Sequence, residues 1–412
     1  MIQFLHELLE TQAATRPEHL AIVWKDERIL YGELDRLTNQ LAQALRANGT
    51  YPGDRVAVLM PNSPNTLIAV LGILKAGCVA VPLDITVSAN LLSVILGDVQ
   101  PAVVLASRSA RPVLDELFAV HSLGSNLLSR VSIGTLEALP IEGEFFATAF
   151  SGLDVLHHSN KPLACRATTN SPALRFFGNG EPASDVGDHA ASPVFEAMPT
   201  VPGPRPSTTV SHAEVLAFLK SSRAVSDLHE HDRVAALPLL SALPVAVMFG
   251  AFAAGAELHV VPHELLTRPQ RLATFVRTHE LTDWLTNHGL LAELARNESI
   301  KDGDFSSLKR LLWTGEPLPS AMLHDLMTRL PMTQFARVTQ NAHSKLAALT
   351  VTVESLSDAV IQPVTPVIFG GSHGRLSRRS FCDGAVPLCQ ETASEGQPCR
   401  NSGTATTLRP RR

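Results

Sequence analysis

Residues 56–84 read Val56-Ala57-Val58-Leu59-Met60-Pro61-Asn62-Ser63-Pro64-Asn65-Thr66-Leu67-Ile68-Ala69-Val70-Leu71-Gly72-Ile73-Leu74-Lys75-Ala76-Gly77-Cys78-Val79-Ala80-Val81-Pro82-Leu83-Asp84. Val56 to Met60 is an unbroken apolar run and predicts a buried strand. Pro61-Asn62-Ser63-Pro64 is a turn whose polar side chains suit the start of a helix. Leu67, Leu71 and Leu74 recur at helical spacing, and Lys75-Ala76-Gly77 ends that helix. Val79 to Leu83 is a second apolar run. A strand, a helix and a strand in so short a span predict a parallel crossover unit.

The same alternation extends in both directions. Upstream, Phe4, Leu5, Leu8 and Leu9 have helical spacing, Ala21 to Trp24 reads as a strand, and Leu34, Leu37, Leu41 and Leu45 line a helix that Asn48-Gly49 stops. Downstream come a helix over Leu91–Leu96 and a strand over Val103–Ala106. After an interruption the pattern resumes as helix Ala213–Lys220, strand Val234–Pro238, helix Val245–Ala254, strand Glu257–Val261, helices Pro269–Thr278 and Leu290–Arg296, strand Leu308–Trp313 and helix Ala321–Leu330. The expectation is an α/β fold with largely parallel sheets flanked by helices. Four stretches follow: 1–158 as a first α/β part, 159–206 as a proline-rich loop or insertion, 207–358 as a second α/β part, and 359–412 as an irregular tail. In the tail arginines appear without lysine and no period survives.

Composition narrows the classes. The 412 residues are 45% hydrophobic and 18% charged, enough for a sizeable core. The net charge of −5 argues against a partner held through nucleic-acid phosphates. Five cysteines are too few for a disulfide scaffold of this length. The acidic first twenty residues do not read as a signal peptide, so a cytoplasmic location is expected. Val234 to Ala256 carries no charge and is long enough to span a bilayer, but Pro238, Pro244 and Gly250 divide it. It is read as a buried strand followed by a helix, not as a membrane span.

Leu74-Lys75-Ala76-Gly77-Cys78-Val79-Ala80-Val81-Pro82-Leu83-Asp84, with Leu30-Tyr31-Gly32-Glu33-Leu34 upstream, resembles the AMP-dependent synthetase/ligase family of adenylate-forming enzymes. Gly255-Ala256-Glu257-Leu258 and Leu308-Lys309-Arg310-Leu311-Leu312-Trp313-Thr314-Gly315-Glu316-Pro317-Leu318 are similar to two later motifs of that family. The resemblance covers roughly residues 1–110 and 210–355. It implies the N-terminal core of an acyl-CoA synthetase or an amino-acid adenylation domain, in which a small carboxylic or amino acid attacks ATP with Mg²⁺ to form an acyl-adenylate. The acyl group would then pass to CoA or a carrier protein. The resemblance also places Gly315, Glu316 and Pro317 beside the adenine, Thr339 and His343 in the nucleotide and metal motif, and His212 and Ala242 at the acyl pocket.

The chain departs from the family's pattern at the positions that carry chemistry. Pro206 stands where a phosphate-loop lysine is expected, and proline donates no N–H to a phosphate. In a second register, Gly178 and Gly180 remain but Glu181 intrudes. Thr339 replaces the adenine-stacking tyrosine. His343 replaces the metal-binding glutamate, and a neutral imidazole is a poor ligand for Mg²⁺, so no metal ligand is assigned. Ala242 replaces the aspartate that meets a substrate amine. Residues beyond about 360 match no part of the family's C-terminal lid. An impaired ligase is expected, with a non-catalytic pseudoenzyme acting as a binding module as the rival. Elsewhere, Asp227, His229, Glu230, His231 and Asp232 are read as a solvated polar helix end before a strand in preference to a zinc site. Ser211 with Glu214 is read as a helix capping box in preference to a nucleophile. Lys75 and Asp84 are read as structural, and Cys382, Cys389 and Cys399 as free thiols.

Overall fold

A computed structural model describes residues 2–121, 131–144, 146–164, 167–177, 207–221, 227–296, 300–340, 349–354 and 362–363. All of them fall in one unit, Met1–Phe369. The registers involving Gly178, Gly180, Glu181 and Pro206, residue His343, the three later cysteines and nearly all of the tail lie outside the described residues.

Along the chain, α1 (His6–Thr15) leads into the hairpin β1 (Leu20–Trp24) and β2 (Glu27–Leu30), then α2 (Tyr31–Ala47). Next come β3 (Arg55–Leu59), α3 (Pro64–Lys75), β4 (Val79–Leu83), α4 (Ala89–Val99), β5 (Val103–Ala106), α5 (Arg111–His121), β6 (Ser132–Gly134), α6 (Gly152–Leu156) and β7 (Pro172–Phe177). The second half runs β8 (Ser207–Ser211), α7 (His212–Ser221), β9 (Arg233–Ala236), α8 (Ala242–Ala254), β10 (Glu257–Val260), α9 (Pro269–Thr278), β11 (Asp283–Asn287) and α10 (His288–Arg296). It closes with β12 (Arg310–Thr314), α11 (Ser320–Arg329), β13 (Gln334–Gln340), β14 (Leu349–Glu354) and β15 (Gln362–Pro363).

Two sheets result. One has the order β6-β5-β3-β4-β7-β8, parallel except for β8. The other has the order β15-β14-β13-β12-β11-β9-β10-β1-β2, parallel from β13 to β1 with antiparallel strands at both edges. The alternation of each strand assigns its faces. Val56 and Val58 of β3 join a core shared with α1, α2, α3, α7 and α8 and with Val234, Leu258 and Leu312 of the other sheet. Ala57 and Leu59 turn to the opposite face, under α4 and α5. On β12, Leu311 and Trp313 turn away from Leu312 toward α9, α10 and α11. Helices therefore cover both faces of both sheets, which explains why the parallel strands read as continuous apolar runs.

The expected units are present. Gly77, at φ 76°, closes α3, and the Cys78 N–H reaches back to the Ile73 carbonyl at 3.0 Å. Val234 to Ala256 resolves into β9 and α8. No helix among the described residues is long and apolar enough to cross a membrane. Two differences from the sequence reading have physical causes. Pro172–Phe177 forms β7, a longer strand than the Phe176-Phe177 strand end that the second register reads in the otherwise irregular stretch, because Leu174 and Phe176 alternate into the shared core. Asp283–Asn287 forms β11, where no strand was read. Its buried Asp283 pairs with Arg310 on the neighbouring strand, so the acid does not break the sheet.

Candidate functional site

Ligands of parallel α/β sheets sit outside the carboxyl ends of the strands, where the chain reverses its order across the sheet. Here β10 lies on one side of β9 and β11 on the other. The crevice beyond β9 and β11 is therefore the switch point. The Asp283–Val234 pairing carries Asn287, four residues on, to the level of the 237–241 segment after β9. Asn287 in turn pairs with Thr314, and Thr314 with Val338, so the ends of β11, β12 and β13 lie in a row.

The turn after β12 is tightly determined. Gly315 has φ 96°, a conformation that L side chains rarely adopt, and a Cβ there would lie 3.3 Å from the His288 Cβ. The Glu316 carbonyl accepts two hydrogen bonds, from the Trp313 Nε1–H at 3.2 Å and from His288 Nδ1 at 3.1 Å. The buried Trp313 anchors the turn from below, and His288 clamps it from the first position of α10. Asn287 caps that helix, its Oδ1 accepting the Leu290 N–H at 2.8 Å.

On the other side of the 237–241 segment, a small open cleft joins the carboxyl ends of the two sheets. It is lined in part by Met60, Asn62, Asp84, Leu239, Leu240 and His263. Asn62 is buried and ties the sheets together: its Nδ2 donates to the carbonyls of Ala236 at 2.9 Å and Val261 at 2.8 Å. Asp84 accepts the Thr86 N–H at 2.9 Å, a strand-end turn as expected.

The residues singled out in the sequence separate into groups. Gly315, Glu316 and Pro317 form the turn beyond β12. Thr339 lies on β13, one residue beyond the Thr314–Val338 pair, and pairs with Thr350. Ala242 is buried at the first position of α8, directly after the switch-point segment. His212 stands at the first position of α7. Its ring is 1% exposed, its Nδ1 accepts the Leu5 N–H at 3.2 Å, and the rings of Phe4 and His6 meet it edge-on. Burial lowers the pKa of His212 to about 4. Burial, with His212 and Lys75 nearby, lowers that of His6 to about 3. Ser211 and Glu214 form the reciprocal capping box of α7: Glu214 Oε2 accepts the Ser211 N–H at 2.7 Å, and the Ser211 hydroxyl accepts the Glu214 N–H at 3.2 Å.

The acidic and histidine-rich turn before β9 is not uniformly solvated. Asp232 is buried, and its carboxylate takes the Lys309 ammonium at 2.6 Å and the His229 N–H at 2.7 Å. Those contacts outweigh burial and hold its pKa below the usual carboxylate range. No group of three or more metal-ligating side chains occurs among the described residues.

His288, Asn287 and Asn62 were not found from the sequence. Asn287-His288-Gly289 ahead of Leu290-Leu291 did carry a signal, an N-cap pattern that starts the helix at His288. Asn62 acts on carbonyls far along the chain, which no local pattern exposes.

The profile of the AMP-binding enzyme family matches residues 9–158 and 208–340, and the chain belongs to that family. Among individual relatives, it is 26% identical to gramicidin S synthase 2 of Brevibacillus brevis over 333 residues, 80% of this chain and 6% of that protein. Tyrocidine synthase 1 of Brevibacillus parabrevis is 38% identical over 113 residues, 27% of this chain and 10% of that protein. The chain thus spans only a small part of the length of these relatives. Among solved structures, the N-terminal domain of FACL13 from Mycobacterium tuberculosis, bound to an inhibitor, superposes with a TM-score of 0.67 at 18% identity. That match covers 85% of this chain and 79% of the other.

Proposed function

We propose that this chain is a carboxylate-activating core that retains an acyl-adenylate site, with catalysis impaired. The nucleoside end would rest at the Gly315–Pro317 turn with Thr339 beside it. The acyl end would extend toward Ala242 at the start of α8. The observation that carries this reading is the positive-φ turn at Gly315, fixed by Trp313 and His288 beside the switch point, within the stretch matched to the family. His212, enclosed by Phe4, Leu5 and His6, ties the start of α1 to that of α7, and in this reading its part is structural.

ATP is the natural co-substrate of such a site, and Mg²⁺ would supply charge neutralisation on the departing pyrophosphate. The fit of the two differs. The turn suits a nucleoside, but a hard cation requires oxygen donors. Among the described residues the carboxylate nearest in sequence to this turn is the exposed Glu316, and position 343 is a histidine. Pro206 and His343 support weak ATP binding. Ala242 supports an acyl group without an α-ammonium, because a buried ammonium needs a counter-charge. CoA or a carrier-protein thiol would be the acceptor.

Calorimetry tests the proposal. A non-hydrolysable acyl-adenylate mimic is expected to bind at micromolar strength, with ATP–Mg²⁺ much weaker. The absence of heat with either ligand, on folded protein, would overturn it in favour of a non-catalytic interaction module.

A further inference from the structure

We propose that His288 is a ligand-contacting residue of this site, its Nε2 accepting a hydrogen bond from a donor group of the bound nucleoside. The inference rests on the adenylate-site reading above. A carbonyl oxygen can only accept, so the 3.1 Å contact between His288 Nδ1 and the Glu316 carbonyl requires the proton on Nδ1. In the neutral ring, Nε2 then carries the lone pair. That atom has no hydrogen-bond partner among the described residues, and it is not one of the sealed, unpaired buried atoms. The ring stands at the first position of α10, next to the carboxyl end of β11, one of the two strands that form the switch point. Gly315 leaves room for it: a Cβ at that position would stand 3.3 Å from the His288 Cβ, tighter than ordinary contact. The Glu316 carbonyl therefore fixes the tautomer and anchors the ring, which leaves Nε2 as an acceptor, unpaired among the described residues, beside the carboxyl end of β11.

Three proteins and the same acyl-adenylate mimic test this by calorimetry. In His288→Asn, the side-chain amide can still donate to the Glu316 carbonyl, but nothing replaces Nε2. In His288→Gln, an amide oxygen reaches toward the Nε2 position. The expected result is about tenfold weaker binding for Asn at an unchanged melting temperature, with Gln recovering most of the loss. Wild-type affinity in the Asn variant overturns the assignment and leaves the adenylate site intact. No binding by the wild type overturns the site and this contact together. If the Asn variant does not fold, ¹⁵N NMR of the wild type decides. The His288 signals are identified by their loss in His288→Gln. Addition of the mimic should move the Nε2 resonance and not the Nδ1 resonance. A stationary Nε2 contradicts the contact, because a purely structural His288 predicts no change there.

Discussion

Lys75 ends α3 with its side chain 2% exposed, and its ammonium reaches across to α2. It donates to Asp35 Oδ1 at 2.5 Å, the Asp35 carbonyl at 3.2 Å and Asn39 Oδ1 at 2.8 Å. Desolvation lowers its pKa, and Asp35 opposes that shift. Asp35 is 24% exposed and can be rehydrated if its partner is lost, whereas Lys75 cannot. The two halves of the pair are therefore unequal. Asp35→Ala, which strands a buried ammonium, is expected to cost about 3–5 kcal/mol, and Lys75→Met is expected to cost clearly less. Urea unfolding of both variants checks the order, and equal losses would contradict it. His288 belongs to the same scale. It and Lys75 each satisfy a backbone carbonyl on a different element, which determines where the side chain sits.

At the scale of elements, α1 docks on α7 through neutral histidines. His212 can accept the Leu5 N–H only while Nδ1 is unprotonated. His6 and His212 titrate at about 3 and about 4 in the fold, below the 6.5 of an unperturbed ring. Below pH 6.5 the unfolded chain takes up protons that the fold refuses, so stability falls with pH, by about 2 kcal/mol per histidine at pH 5. Burial raises the pKa of Glu10 and Asp283, and these groups act in the opposite direction. The difference between variants is therefore the cleaner readout. His6→Leu also removes a buried Nδ1 without a partner. It is expected to lose about 2 kcal/mol less than the wild type between pH 7.5 and pH 5 in urea midpoints. Identical pH slopes would contradict the docking account. Elements differ in how legible they are for related reasons. β3, α3 and β4 were readable because strands buried on both faces are written in apolar residues. β11 was not, because Asp283 looks like a loop residue until Arg310 of β12 lies beside it. Gly315 to Pro317 were proposed as site residues through a family resemblance. Asn62 and His288 were not, because they act on carbonyls that only the folded topology brings near.

At the scale of the molecule, two sheets wrapped by helices bring the carboxyl ends of their strands together, and Asn62 fastens that junction. Family membership accounts for the fold, while in the proposed reading Ala242, Thr339 and His343 bear on what the site does. Two places compete for a ligand: the crevice at the β9–β11 switch point, and the cleft between the sheets near Asn62 and Asp84. Hydrogen–deuterium exchange of the whole chain with and without the acyl-adenylate mimic separates them. The adenylate-site account predicts slowed exchange over residues 286–291 and 313–317, with residues 60–62 and 84–87 unchanged. Protection confined to 60–62 and 84–87, or none at either place under saturating mimic, would contradict it.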